Sequence, residues 1–309
     1  MIDQLNQPIP PPLDMRKTAQ FVINSVSSYA ELAHPQGKFD EKFLDVLAAI
    51  LPSANIEPIN HPTGGFLRVF QPVENGSQKK DVAVKILFSD QFQGLEYPPT
   101  GVTEEEIRQL LHERDFVKFA NRKQEPQFDD LTSDEKVFLG LAAVHKKYAQ
   151  LFPSFVLPSS FIAYKTDHDI TAKVEDFEKE RLSARGRLSD DGQEIIHKAG
   201  DVVYGMVQDV QVFPSGKSVT FMESEELTVQ DKEQITAFIR NVEEVYEKYG
   251  LYPDDGKSRF HDLYLNSDGA LVFIDTNHLK KRSQVEIVDT SYRSAVRKLR
   301  NLISGNKEI

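Results

Sequence analysis

The chain has 309 residues, 39% of them hydrophobic and 28% charged, with a formal net charge of −11 and no Cys. That length supports one large domain or two lobes around a substantial core. The negative balance argues against non-specific binding to nucleic acid or to an anionic membrane, and the lack of Cys excludes disulfides and thiolate-held zinc. The N-terminus, M-I-D-Q-L-N-Q-P-I-P-P-P-L-D, has neither the basic region nor the apolar run of a signal peptide. With no apolar run of about 18 residues, a cytoplasmic protein with no membrane or nucleic-acid partner is expected.

Residues 1–14 are Pro-rich and read as an extended arm. Residues 15–33 have helical spacing, with Phe21, Ile23, Val26 and Leu32 as apolar points. F-D-E-K-F-L-D-V-L-A-A-I-L (39–51) is a clearer amphipathic helix, with Phe43, Leu44, Leu47 and Leu51 on one face. Gly64-Gly65 then opens the strand-like run F-L-R-V-F-Q-P-V. A turn-rich E-N-G-S-Q-K-K and a second strand, D-V-A-V-K-I-L-F, complete a hairpin. Thr103 and Glu106 stand at capping-box spacing before a helix expected to run through Ala120.

After a polar linker (121–130), T-S-D-E-K-V-F-L-G-L-A-A-V-H-K-K-Y-A-Q-L-F predicts a second helix, with Val137, Leu141, Val144 and Tyr148 on its apolar face. F-V-L-P-S-S-F-I-A-Y is strand-like, and the charged stretch 166–199 shows no regular pattern. D-V-V-Y-G-M-V-Q-D-V-Q-V-F (201–213) is a strand running into a loop. A long helix over 229–249 ends at Gly250, a C-cap, and the last helix lies near 288–303.

F-H-D-L-Y-L-N-S-D-G-A-L-V-F-I-D-T-N, residues 260–277, holds Asp268-Gly269, the strongest short hairpin signal. A two-residue turn there would set Leu265 opposite Val272, Leu263 opposite Ile274 and Asp262 opposite Asp275. Like charges directly opposite each other are destabilising, which points to Mg²⁺ between the two carboxylates. A four-residue loop over Asn266–Gly269 would shift this register. Alternatively, both Asp residues simply end strands in solvent.

The order of Gly pair, V-A-V-K strand, Glu-bearing helix, strand, long helix and Asp-bracketed hairpin resembles the protein-kinase-like superfamily over roughly residues 55–280. Within it, the chain is similar to the divergent bacterial atypical and aminoglycoside-phosphotransferase-type kinases. The resemblance implies an α+β, two-lobed fold with an N-terminal arm and helical extension (1–54). An N-lobe (55–207) with an insertion at about 166–199 and a reduced C-lobe (208–309) would follow.

The implied cofactors are ATP and Mg²⁺. Gly64 and Gly65 would approach the phosphates, and Lys85 would orient them. Glu135 would hold Lys85, with Glu113 as the competing partner, and backbone near Gln208 to Val210 would bind adenine. Asp275 and Asp262 would hold metal. The chain departs from the family at the catalytic loop, where H-R-D-L-x-x-x-N is absent. Asp255 or Asp254, in Y-P-D-D-G-K, would serve as the base in a loop two residues longer than usual, with Lys257 beyond it. The other alignment takes His261-Asp262 as the base motif and Asn266 as metal ligand. A third reading makes 254–256 only a turn.

H-P-T-G-G-F is not G-x-G-x-x-G, and no activation segment is visible after Asp275, so a standard protein-substrate groove is not expected. The eight His residues show no metal-binding spacing. Lys280-Lys281-Arg282, like Arg181, Arg185 and Arg187, would either neutralise phosphates or form solvated loops. The expected activity is ATP- and Mg²⁺-dependent phosphoryl transfer to an unknown hydroxyl on a small molecule or protein. The alternative is a pseudokinase-type module that binds nucleotide or a partner without transfer.

Overall fold

The computed structural model describes residues 56–58, 67–74, 77–78, 82–87, 96–113, 116–119, 122, 124–157, 159–166, 169–172, 176–209, 218–253, 260, 263–265, 269–273, 276, 279–282 and 289–305. Of these, 56–58, 67–74, 77–78, 82–87, 172, 177–178, 207–209 and 289–291 are described by their backbone alone. The arm and helices expected within 1–54 lie outside the described residues. The architecture is mixed, of the α+β kind.

Its main sheet contains β1 (Ile56–Pro58), β2 (Leu67–Glu74), β3 (Ser77–Gln78), β4 (Val82–Leu87), β5 (Val117–Phe119), β6 (Ser159–Lys165) and β9 (Val202–Asp209). The order is β1-β2-β4-β9-β6-β5, with β3 paired to β2. The expected Gly-led hairpin is present as β2 and β4, and V-A-V-K lies on β4. Valine and isoleucine suit such a strand because their branched side chains fit a pleated surface.

The helix expected from Thr103 to Ala120 is shorter in the structure. Thr103 and Glu106 form the capping box of α1 (Glu104–Gln109), which passes into a 3₁₀ turn at Leu110–His112. Val117–Phe119 is then a strand, β5, parallel to β6. The Phe161 N–H donates to the Phe116 carbonyl at 2.8 Å. This distant partner overrides the helical spacing of Leu110, Leu111 and Phe116.

Helix α2 (Ser133–Leu151) starts with a second capping box, Thr132 with Glu135. Val137, Val144 and Tyr148 are buried as expected, whereas Leu141 is half-buried. Phe138, Leu139, Ala142 and Ala143 are buried too, so α2 is covered on more than one side. A Cβ built on Gly140 would stand 2.9 Å from Pro99 Cδ. Gly140→Ala is therefore expected to destabilise by about 1–2 kcal/mol, although Ala is the better helix former by about 1 kcal/mol. Urea unfolding checks this, and a stabilised variant would show that the Pro99 ring moves aside freely.

The unassigned stretch forms a small unit between β6 and β9. It comprises β7 (Ile170–Ala172), α3 (Asp176–Ala184) and β8 (Glu194–His197), with β7 and β8 antiparallel. Arg181 is on α3, and Arg187 pairs with buried Glu194 at 3.0 Å. Arg187 therefore supports this unit.

Helix α4 (Val229–Tyr249) has a capping box of Thr228 and Asp231 and ends, as expected, at Gly250 with φ 64°. That left-handed conformation suits glycine because it has no Cβ to clash. Two short ladders follow: β10 (Leu251–Pro253) with β13 (Leu279–Lys281), and β11 (Leu263–Leu265) with β12 (Leu271–Phe273). Helix α5 (Asp289–Ser304) packs on α4, where Tyr292 stacks on Tyr246 at 4.3 Å. A Val156–Phe273 bridge joins this part to the segment before β6, and the Phe273 N–H donates to the Phe155 carbonyl at 2.7 Å. Among the described residues, no helix is long and apolar enough to cross a membrane.

Candidate functional site

Lys85 lies opposite Val69 on one side and Met206 on the other, and Met206 lies opposite Phe161. Directly opposed residues share a face of a sheet. The register therefore places Lys85 on the face of Phe161, Met206 and Tyr204, which are buried beneath α2. Phe138 of α2 meets Phe161 at 5.9 Å and Tyr204 at 5.1 Å between ring centroids. Gln208 is opposite Ala83, so the strand expected to bind adenine is the direct neighbour of the lysine strand. Burial pushes the Tyr204 phenol above its ordinary pKa, although its hydrogen bond to Thr132 opposes this.

Glu135 is buried at the first turn of α2. Its Oε2 accepts from the Thr132 N–H at 2.8 Å and from Thr132 Oγ1 at 3.1 Å. Its Oε1 forms an ion pair with Arg122. The carboxylate expected to hold Lys85 thus serves the helix cap and Arg122. Glu113, the competing partner, pairs with Lys146 near the other end of α2.

Asp254, Asp255, Asp262, Asp275, Gly64, Gly65 and Val210 lie outside the described residues, as do Lys257, His261 and Asn266. Their flanking strands are described. Pro253 pairs with Leu279, and Leu263 pairs with Phe273. The connection 254–262, which carries Asp254, Asp255 and Asp262, therefore runs from the β10–β13 ladder to the β11–β12 ladder. The connection 274–278, which carries Asp275, spans the same two ladders. The four candidate acids thus belong to two connections whose flanking strand ends are paired. Among the described residues there is no cluster of three or more metal-ligating side chains.

The hairpin register differs from the expected one by a single position. Leu263 faces Phe273, and Leu265 faces Leu271. The direct facing of Asp262 and Asp275 belongs to the other register. The connection spans 266–270, with Gly269 left-handed at φ 74° and its absent Cβ only 3.2 Å from Gln230 Nε2 of α4. Glycine is favoured there by its left-handed dihedral, and a Cβ would also press on the Gln230 amide. A longer loop with a left-handed Gly is the next most common hairpin solution after the two-residue turn.

Three residues at this place were not expected from sequence. Phe260 is buried with φ 49°, a region that a bulky side chain rarely adopts. Its carbonyl accepts from the Leu263 N–H at 3.2 Å and Ser218 Oγ at 3.3 Å. Such strain concentrates at functional sites because the surroundings must enforce it. Thr276, next to Asp275, is buried and shares a 2.5 Å hydrogen bond with His145 Nδ1 of α2. A lone His in an apolar helix and a Thr after an Asp give no signal in sequence. Lys280 and Lys281 are exposed on β13, and Arg282, just past it, lies 4.0 Å from Glu247.

No family model matches the chain, and no curated protein matches it. Seventeen chains of solved structures match. One is the crystal structure of WbdD, at 12% identity and a TM-score of 0.32, covering 78% of this chain. The match spans 36% of that chain, so the sequence corresponds to about a third of the WbdD chain's length.

Proposed function

We propose that the chain is an ATP- and Mg²⁺-dependent phosphotransferase of protein-kinase-like fold that acts on a hydroxyl acceptor. The observation that carries the proposal is the pairing of ladder ends, which runs the two acid-bearing connections between the same two ladders. The position of Lys85 on the α2 face of the sheet adds support.

In this reading Asp275 and Asp262 hold Mg²⁺, which would neutralise phosphate charge. Lys85 orients the phosphates, Gly64 and Gly65 approach them by backbone, and Gln208 to Val210 meet the adenine. Asp255 or Asp254 accepts the proton of the acceptor hydroxyl. That oxygen forms the new bond to the γ-phosphorus, the bond to the β–γ bridging oxygen breaks, and ADP leaves. Such catalysis is mainly positioning and charge neutralisation. The departure of Y-P-D-D-G-K from H-R-D-L-x-x-x-N favours a second reading, a nucleotide-binding module without transfer.

Thermal unfolding with and without Mg²⁺-ATP tests both readings. A ligand at a hundredfold excess over its Kd stabilises the folded state by about 2.7 kcal/mol, which corresponds to roughly 5 °C here. We expect a metal-dependent rise of that order in the wild type and its loss in Asp275→Ala. No rise at millimolar ATP would overturn nucleotide binding. A rise without phosphate transfer to any acceptor would favour the module.

A further inference from the structure

Helix α2 connects two parts of the proposed site through one side chain. The His145 ring lies 5.5 Å from the Phe161 ring and 6.1 Å from that of Phe116. Phe161 is opposite Met206, which is opposite Lys85. On its other side His145 Nδ1 bonds Thr276 Oγ1, across 131 positions of sequence. His145 is 2% exposed and Thr276 is 1% exposed, so water does not readily replace either partner. The residue that follows Asp275 is thereby tied to the sheet row that carries Lys85.

Glu135, at the far end of α2, lies about 15 Å from His145 along the helix axis, at roughly 1.5 Å per residue. The end of α2 that reaches the segment of Asp275 is therefore the end of His145.

We propose that His145 is a positioning residue for the nucleotide and metal site, holding Asp275 in place through Thr276. This role rests on the proposed function above. Asp275 can bind metal with the phosphates only if its backbone is fixed relative to Lys85. A buried hydrogen bond to the adjacent residue supplies that constraint, and a bond to a group shielded from water is not readily replaced by solvent.

The test is the Kd for Mg²⁺-ATP by titration calorimetry, with the melting temperature of each ligand-free protein measured alongside. Thr276→Val keeps the side-chain shape and removes the hydroxyl; it is expected to weaken binding about tenfold. Thr276→Ser is expected to restore it. His145→Leu should weaken binding similarly, and the double variant should be no weaker than the weaker single one, since both remove the same link. Variants that melt earlier but bind within twofold of the wild type would overturn the role, as would fully additive losses. If the wild type itself fails to bind, the nucleotide reading falls and this role falls with it.

Discussion

Phe238→Ala is expected to lower the unfolding free energy by about 3–5 kcal/mol. The Phe238 side chain is fully buried on α4. Its ring lies 5.3 Å from Phe155, 5.5 Å from Phe260 and 5.3 Å from Phe273 between centroids. Truncation removes the transfer free energy of the ring and leaves a cavity between three large neighbours that cannot all move inward. Phe260 lies within the connection 254–262, and Phe273 directly precedes 274–278. The same substitution should therefore loosen both acid-bearing crossings and reduce any stabilisation by Mg²⁺-ATP. Urea denaturation measures the first effect, and ligand-dependent melting measures the second. A loss below about 1 kcal/mol would mean that the aromatic cluster collapses around the gap. Phe238→Leu, which keeps most of the volume, should cost clearly less.

The second large effect is expected for Arg122→Ala, at about 2–3 kcal/mol. Glu135 is 2% exposed, and Arg122 pairs with its Oε1. Removing one partner of a buried pair leaves the other charge uncompensated, which typically costs about 3–5 kcal/mol. The Arg122 side chain is 34% exposed, so water screens part of the pair, which lowers the expected figure. The guanidinium also lies 5.2 Å from the centre of the Phe119 ring, and the same variant removes that cation–π packing. Glu135→Gln in the Arg122→Ala background separates the contributions. It removes the uncompensated charge but keeps an amide oxygen for the Thr132 cap, and should recover at least half of the loss. No recovery would assign the cost to the missing Arg122–Phe119 packing.

Much of the helical fold is legible in the sequence because helix ends carry local signals. Thr103 with Glu106 marked the start of α1, and Gly250 marked the end of α4. The end of α1 was not legible. Leu110, Leu111 and Phe116 keep a helical spacing, and only β6, far along the chain, converts Val117–Phe119 into a strand. The β11–β12 hairpin was legible from Asp268-Gly269, but its register was not. Gly269 takes its left-handed place against Gln230, a neighbour that the local sequence does not reveal.

The candidate site follows the same division. V-A-V-K and the acid-bearing segments were singled out from local pattern, and the ladders pair the strands that flank those acids. The engagement of Glu135 with Arg122 was hidden because an acid three residues after Thr132 fits either role. The His145–Thr276 bond was hidden because its partners meet only in the folded chain.

The place of β9 in the main sheet bears on how the protein is made. β9 pairs with both β4 and β6, so it joins the β1-β2-β4 half to the β6-β5 half. Yet residues 202–209 emerge long after residues 82–87 have left the ribosome. At about 5–20 residues per second, translation takes roughly 6–23 s to pass from one strand to the other. During that interval the β4 edge that β9 later covers is open to pairing with other chains, and the β6 edge joins it once residues 159–165 have emerged. Closing the sheet is a long-range event, slow compared with the folding of α2 or α4. The nascent chain is thus most prone to aggregation before its central strand has been synthesised.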